Sequence, residues 1–199
     1  CGLAEALSFD MGGTTAKICL IDDGAPLFSR FFEVAREYRY MKGSGLPLKI
    51  PVIEMVEIGA GGGSIAALDS VGRLAVGPQS AGADPGPACY GRGGEEPTVT
   101  DADLLMGRLD SARFAGGKLR LDAGSAERAV RGKVAAPLGI ATAEAVHGIG
   151  EMVDEAMASA ARVHAIERGK EVTGRVMIAF GGAAPLHAAL DALRASFDV

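Results

Sequence analysis

The sequence predicts a mixed α/β fold in which antiparallel strands come first and helices follow. Three observations carry this. The first third of the chain is a series of short apolar runs broken by glycine-rich turns. The second half holds long segments with apolar residues at helical spacing. A short, wholly apolar run, Val176–Phe180, then returns late in the chain, as a buried strand does.

Ala4–Phe9 and Ala16–Asp22 read as strands, joined through Gly12-Gly13, and Asp22-Asp23-Gly24 turns the chain into a third strand, Pro26–Val34. Arg36, Arg39, Lys42 and Lys49, interleaved with Gly43, Gly45 and Pro47, predict an exposed loop over 35–50. Val52–Ile58 is a strand that runs into Gly59–Ser64. Ile65–Leu68 and Arg73–Val76 flank a second hairpin turn, Asp69-Ser70-Val71-Gly72. Residues 77–97 are too rich in proline and glycine for a helix or a central strand, and their apolar content with Tyr90 predicts an ordered loop. Thr100 is read as the N-cap of a helix over Asp101–Leu109, with Asp101 and Asp103 in the first turn where the helix dipole favours acids. Ser125–Pro137 predicts a second helix. Thr142–Arg168 predicts a third, closed by Gly169, with Ala143, Val146, Ile149, Val153, Ala156, Met157, Ala160 and Val163 as its apolar stripe. A final helix is expected over Leu186–Leu193.

Composition bounds the function. The chain has 199 residues, 48% hydrophobic and 23% charged, as globular proteins do. A net charge of −5 without a basic run argues against nucleic acid as a partner, and no apolar stretch is long enough to span a membrane. Cys1, Cys19 and Cys89 are odd in number and lack metal-ligand spacing, which points to a reduced, cytoplasmic setting. Cys1-Gly2-Leu3 is not a natural initiator sequence and a new strand sets in at Phe197-Asp198-Val199, so a piece of a longer protein is expected, with residues 1–199 as one lobe.

Glycine is the informative excess, with 29 residues, about twice the usual share. Three glycine-rich turns each follow an apolar strand: Gly12-Gly13, Gly59–Ser64 and Gly181-Gly182. Such turns let a ligand approach the backbone without meeting a Cβ, and ligands of open α/β sheets collect at strand ends. In Asp10-Met11-Gly12-Gly13-Thr14-Thr15, the threonine hydroxyls suit phosphate oxygens, and Asp10 suits a hydrated Mg²⁺. Taken alone, that segment also fits a plain hairpin, and Gly61, Gly62, Gly63 and Ser64 also fit a mere bend between strands. No Walker lysine follows any of the three turns.

Longer segments carry a resemblance. Phe9–Thr15, Ile58–Ala66, Val76–Gly94, Pro97–Ala102, Gly107-Arg108-Leu109 and Ala179–Ala188 resemble, in order, the motifs of the hydantoinase A/5-oxoprolinase family, ATP-dependent members of the actin-like ATPase superfamily. The resemblance implies an RNase H-like lobe, a mixed sheet with N-terminal antiparallel strands and C-terminal helices. It implies ATP and Mg²⁺ as cofactors. Asp10 then acts as the catalytic and metal-binding carboxylate of a second phosphate loop, with Gly12, Gly13, Thr14 and Thr15. Gly61, Gly62, Gly63, Ser64, Gly181 and Gly182 complete the nucleotide contacts. The implied activity is ATP-dependent ring opening of a cyclic amide or imide such as hydantoin or 5-oxoproline. The implied partners are an N-terminal lobe of the same protein and a B-type subunit. An acetone- or acetophenone-type carboxylase subunit shares every motif, and a non-catalytic nucleotide-gated assembly module is a further alternative.

Two positions depart from the family pattern. Val56 stands where many members carry histidine, and Ala184 stands where glycine is usual, a methyl expected to crowd a left-handed backbone. Asp84, Asp101, His147, His164 and His187 are read as structural, and Cys89 as a small buried residue rather than a nucleophile.

Overall fold

The computed structural model describes residues 2–35, 37 and 43–189. β1 (Ala6–Met11) and β2 (Ala16–Asp22) form the antiparallel pair expected at the start, in register from Ala6 opposite Ile21 to Met11 opposite Ala16. β1 lies two residues later than the apolar run suggests, because its pairing with β2 continues through Asp10 and Met11 up to the glycine turn. β3 (Ala25–Pro26) pairs with the end of β2. β4 (Phe28–Ser29), β5 (Phe32–Val34), β6 (Leu46–Leu48) and β7 (Val52–Ile53) make two small ladders, β4 with β7 and β5 with β6. The single strand expected over Pro26–Val34 is therefore three short ones, and part of the expected 35–50 loop is strand. Arg36, Arg39 and Lys42, the strand at 197–199 and the last helix beyond 189 lie outside the described residues.

β8 (Met55–Ile58) returns to the main sheet antiparallel to β2 and delivers Ile58 beside Ala16, at the foot of the glycine turn. β9 (Ser64–Leu68) and β10 (Leu74–Ser80) form a separate hairpin. β11 (Val176–Phe180) lies parallel to β1 on its far edge, with Val176 opposite Ala6 and Phe180 opposite Asp10. It is not the buried strand its apolar run predicts, because as an edge strand it leaves Val176, Ile178 and Phe180 exposed. Strand order β11–β1–β2–β8 is thus the mixed sheet expected of an RNase H-like lobe. The parallel β11 and β1 end side by side, which brings Gly181 against Asp10 and Met11, just before the Gly12-Gly13 turn, although they are far apart in sequence.

α1 (Val99–Leu105) starts two residues earlier than Thr100 would set it. Thr98 is the N-cap, and the Asp101 side chain closes a capping box back onto it. α2 (Ala123–Val130) runs through one π turn (Arg131–Ala135) into α3 (Ala136–Leu138), which Gly139 ends in the left-handed conformation. α4 (Thr142–Ile166) covers the sheet with Ala145, Val146, Ile149, Val153, Met157, Ala160 and Ala161, against Leu7, Phe9, Met11 and Ile18. Ala143, Ala156 and Val163 of the expected stripe are exposed. The buried face is turned instead toward α1, and it carries two polar residues, Asp154 and His164. Helical backbone resumes at 184 and continues to the end of the described residues. Among the described residues no helix is long and apolar enough to cross a membrane.

Candidate functional site

The three glycine turns meet. The Gly62 amide donates to the Gly12 carbonyl at 3.0 Å, the Gly63 amide to the Gly13 carbonyl at 2.7 Å, and the Ala183 amide to the Met11 carbonyl at 3.0 Å. Thr100, in the first turn of α1, ties in as well, since its amide and hydroxyl both donate to the Gly62 carbonyl at 2.7 Å. A hairpin needing nothing but a tight turn would not be clamped from both sides in this way.

The glycines divide into two kinds. At Gly61 a Cβ would lie 2.6 Å from the Gly13 carbonyl carbon and the Thr14 nitrogen, and at Gly63 it would lie 2.9 Å from the Gly13 carbonyl oxygen. Gly181 has φ +96°, and its Cβ would strike Asp10 Oδ1 and the Met11 carbonyl. These three are glycines because protein backbone packs on them. Gly13 and Gly182 instead face open space, and at Gly12 the nearest atom lies 4.0 Å away. Gly12, Gly13, Gly62 and Gly182 line a cleft of about 480 Å³ with Thr100, Arg108, Phe114 and Leu186. Gly61, Gly63, Ser64 and Gly181 do not line it. Ser64 is fully buried, and its hydroxyl accepts from the Gly61 amide at 2.9 Å, closing that turn from behind. The amides of Gly13 and Thr14 donate to no group among the described residues. A larger groove of about 620 Å³, walled by Phe31, Phe32, Val52 and Met55, contains none of the glycine turns.

Asp10, the last residue but one of β1, stands beside the cleft with its carboxylate against Gly181, and that carboxylate makes no hydrogen bond or ion pair among the described residues. Thr14 is exposed at the tip. The Thr15 hydroxyl accepts from Lys17 Nζ at 2.7 Å, and Lys17 also pairs with Glu57 at 3.5 Å. Among the described residues no group of three or more His, Cys, Asp or Glu side chains is placed to hold a metal. A free carboxylate beside open backbone amides does fit hydrated Mg²⁺, which takes one or two protein carboxylates and fills its remaining positions with water and phosphate oxygens.

The long loop is held by Asp101. Its carboxylate, fully buried, accepts from the amides of Ala88 (3.2 Å), Cys89 (2.7 Å) and Thr98 (2.8 Å) and from the Thr98 hydroxyl (2.8 Å). Asp101→Ala leaves those donors buried without an acceptor. It is expected to destabilise the protein by about 2–3 kcal/mol and to expose 83–94 to early cleavage in limited proteolysis. Burial, reinforced by the Asp101 charge, pushes the Cys89 thiol far above its usual range, so it is no nucleophile. Asp84 is exposed.

His187 is no simple packing residue. It is fully buried between two buried carboxylates, with Nδ1 2.6 Å from Asp154 Oδ1 and Nε2 3.1 Å from Asp103 Oδ2. Burial alone would lower its pKa, but the hydrogen bonds and charges of Asp103 and Asp154 outweigh that and raise it to about 9. The ring is therefore an imidazolium that donates to both carboxylates. Arg108 Nη1 pairs with the other oxygen of Asp103 at 3.0 Å. Its 3.4 Å approach to His187 Nδ1 is a contact between two donors, tolerated because two carboxylates flank them.

Comparison with known proteins supplies the family. The Hydantoinase/oxoprolinase family profile matches residues 2–198. The chain belongs to that family. The alpha subunit of caprolactamase from Pseudomonas jessenii is 45% identical over 94% of this chain, and the acetophenone carboxylase gamma subunit of Aromatoleum aromaticum is 40% identical over 94%. The chain spans 25% of the length of each. Among solved structures, nucleotide-free acetone carboxylase superposes with a TM-score of 0.84 at 27% identity, covering 98% of this chain and 26% of its own. The ATP-dependent caprolactamase structure gives 0.81 at 41% identity, covering 98% and 27%. The two solved relatives are described as ATP-dependent enzymes, and this mixed α/β lobe has the fold of the corresponding region in both.

At both departures the side chain is accommodated by the core. Ala184 is fully buried in the core at the start of a helix and its φ is not positive, so its methyl meets no left-handed backbone. Val56 packs against the core from β8. The polar network is what sequence reading missed. The available signal was an acid, Asp154, standing among Ile149, Val153 and Met157 on an apolar helix face.

Proposed function

We propose that this chain forms one half of a Mg·ATP site in an enzyme that activates the carbonyl of a cyclic amide for ring opening. The observation that carries the reading is the convergence of three glycine turns on one cleft, with unengaged amides at Gly13 and Thr14 and a free carboxylate at Asp10. Those amides sit where phosphate oxygens would lie, in an arrangement that stabilises charge developing during phosphoryl transfer. Asp10, through a hydrated magnesium ion, would neutralise the transferring phosphoryl group. Gly12, Gly62 and Gly182 let the nucleotide lie against backbone, while Gly61, Gly63, Ser64 and Gly181 hold that backbone in shape. Thr15 offers its hydroxyl once Lys17 releases it.

Phosphoryl transfer from ATP to the amide oxygen breaks a P–O bond to ADP and forms one to substrate. Water then adds to the activated carbon, and the C–N bond opens as its nitrogen takes up a proton and leaves as the amine. A second water cleaves the resulting acyl phosphate to carboxylate and phosphate. The family description and the relative that is a caprolactamase support a lactam or imide as substrate. An N-terminal lobe of the same polypeptide and a B-type partner would supply the rest of the site, in keeping with a chain that spans only a quarter of its relatives. A second reading, a subunit of an ATP-dependent ketone carboxylase, is favoured by the superposition on acetone carboxylase at a TM-score of 0.84.

ATP turnover by the intact protein with its partner subunit, screened over hydantoins, 5-oxoproline, other lactams, and ketones with bicarbonate, tests the reading. A cyclic amide is expected to stimulate turnover. Stimulation by a ketone and by no cyclic amide discards ring opening for carboxylation. In either case Asp10→Asn is expected to lower turnover by about a hundredfold or more, with the fold intact by circular dichroism.

A further inference from the structure

Arg108 stands in the cleft as a cation only partly engaged. It lines the same cavity as Gly12, Gly13 and Gly182, and its side chain is 21% exposed. Its Nη1 is held by Asp103, whereas Nε and Nη2 donate to no group among the described residues. Helix α1 sets its distance from the glycine turns. Thr100 bonds to Gly62 from the first turn, and Asp103, which grips the guanidinium, follows one turn later. Asp103 thus lies about 4.5 Å of helix rise beyond Thr100, and it holds the guanidinium farther along the cleft than the Gly62 turn. That is the direction from the phosphates toward the sugar and base, and Leu109, Phe114 and Leu186 line the cleft with it.

We propose that Arg108 is the residue that grips the nucleoside end of the nucleotide, and that His187 is its positioning residue; this rests on the nucleotide reading of the cleft. The chain of contacts is continuous. Asp154, from α4, fixes one nitrogen of His187; the other nitrogen fixes Asp103; Asp103 fixes Arg108. Asp103, Asp154 and His187 are almost entirely buried. The four charges sum to zero with Arg108 included and leave a buried negative charge without it. A buried ionic cluster is seldom more stabilising than well-packed apolar residues of the same volume. What this one supplies is a direction. The planar guanidinium, held at one nitrogen, presents its remaining donors and its face to the cleft at little further cost in side-chain entropy.

Calorimetric titration of ATP, adenosine and tripolyphosphate into the intact protein tests this. In the wild type ATP is expected to bind more tightly than tripolyphosphate. Arg108→Ala is expected to weaken ATP and adenosine alike, by about tenfold, and to leave tripolyphosphate unchanged. His187→Gln is expected to give a smaller loss of the same pattern, and the double variant to be no weaker than Arg108→Ala alone, because the two changes break one chain. Asp154→Asn, which preserves shape, takes the place of His187→Gln if that variant does not fold. A loss of tripolyphosphate affinity in Arg108→Ala, or unchanged adenosine affinity, overturns the role of Arg108. Additive losses in the double variant, or an equal loss of all three ligands in His187→Gln and Asp154→Asn, make His187 a structural residue only. A wild type that binds neither ATP nor tripolyphosphate refutes the nucleotide reading itself.

Discussion

Gly181→Ala is expected to destabilise the protein by about 3 kcal/mol or more and to remove nucleotide binding with it. Two separate faults combine at this position. The backbone is left-handed, at φ +96°, which an alanine adopts only under strain. The added Cβ would also lie 2.6 Å from the Met11 carbonyl oxygen and against Asp10 Oδ1. The carbonyl cannot swing away, because it accepts the hydrogen bond from Ala183 that ties β11 to the β1–β2 turn. Relief must therefore come from parting the ends of β1 and β11, which moves Asp10 and opens the cleft. Urea denaturation and nucleotide titration of the same variant check both effects. Gly13→Ala and Gly182→Ala provide the contrast. Neither glycine has a left-handed backbone, and both have open space around the new methyl, so stability should change by less than about 0.5 kcal/mol. Loss of nucleotide affinity in those two variants reports ligand contact, whereas in Gly181→Ala it reports a deformed frame. A Gly181→Ala protein as stable as wild type would mean that β1 and β11 are not joined in this way.

His187→Ala is expected to cost about 3–5 kcal/mol near pH 6, since it leaves Asp103 and Asp154 buried with Arg108 as their one cation. The cost depends on pH with a definite sign. Folding raises the His187 pKa from 6.5 to about 9, so the folded state binds the proton more tightly than the unfolded state does. The stabilisation is fully present below about pH 6.5 and is lost as pH rises through about 9. Denaturation midpoints measured from pH 6 to pH 10 should show the gap between wild type and His187→Ala narrowing toward the alkaline end. A gap that widens there, or stays constant, would show that the ring is neutral in the folded protein.

Local pattern and long-range placement contributed differently to this protein. The alternation and apolar runs of Ala16–Asp22 and Val176–Phe180 marked the bounds of those strands to the residue, but not their surroundings: Ala16–Asp22 is largely buried inside the sheet, whereas Val176–Phe180 is an edge strand that leaves Val176, Ile178 and Phe180 exposed. Pro26–Val34 failed as one strand. Its ladders are two or three residues long, and their partners, Val52–Ile53 and Leu46–Leu48, are set by tertiary pairing. Thr98 displaced Thr100 as the N-cap for a similar reason: both are good caps, and Asp101 chose between them by reaching Thr98 and the distant amides of Ala88 and Cys89 at once.

The sequence by itself determined that Gly12-Gly13, Gly59–Ser64 and Gly181-Gly182 end strands, that Asp10 stands at the first of them, and, through its motifs, the family. Those are local facts, encoded in residue type and spacing. The tertiary structure alone decided which glycines face a ligand and which face protein backbone, since that depends on what the parallel pairing of β11 with β1 and the return of β8 bring within a few ångströms. It also made one network of Asp103, Asp154, His187 and Arg108, which come from α1, α4, the helix after β11 and the loop after α1. Asp103 reads locally as a helix-start acid and His187 as a structural residue, and nothing in either segment joins them to Arg108 or Asp154. Their charges acquire meaning only when burial removes water and leaves them no partners but one another.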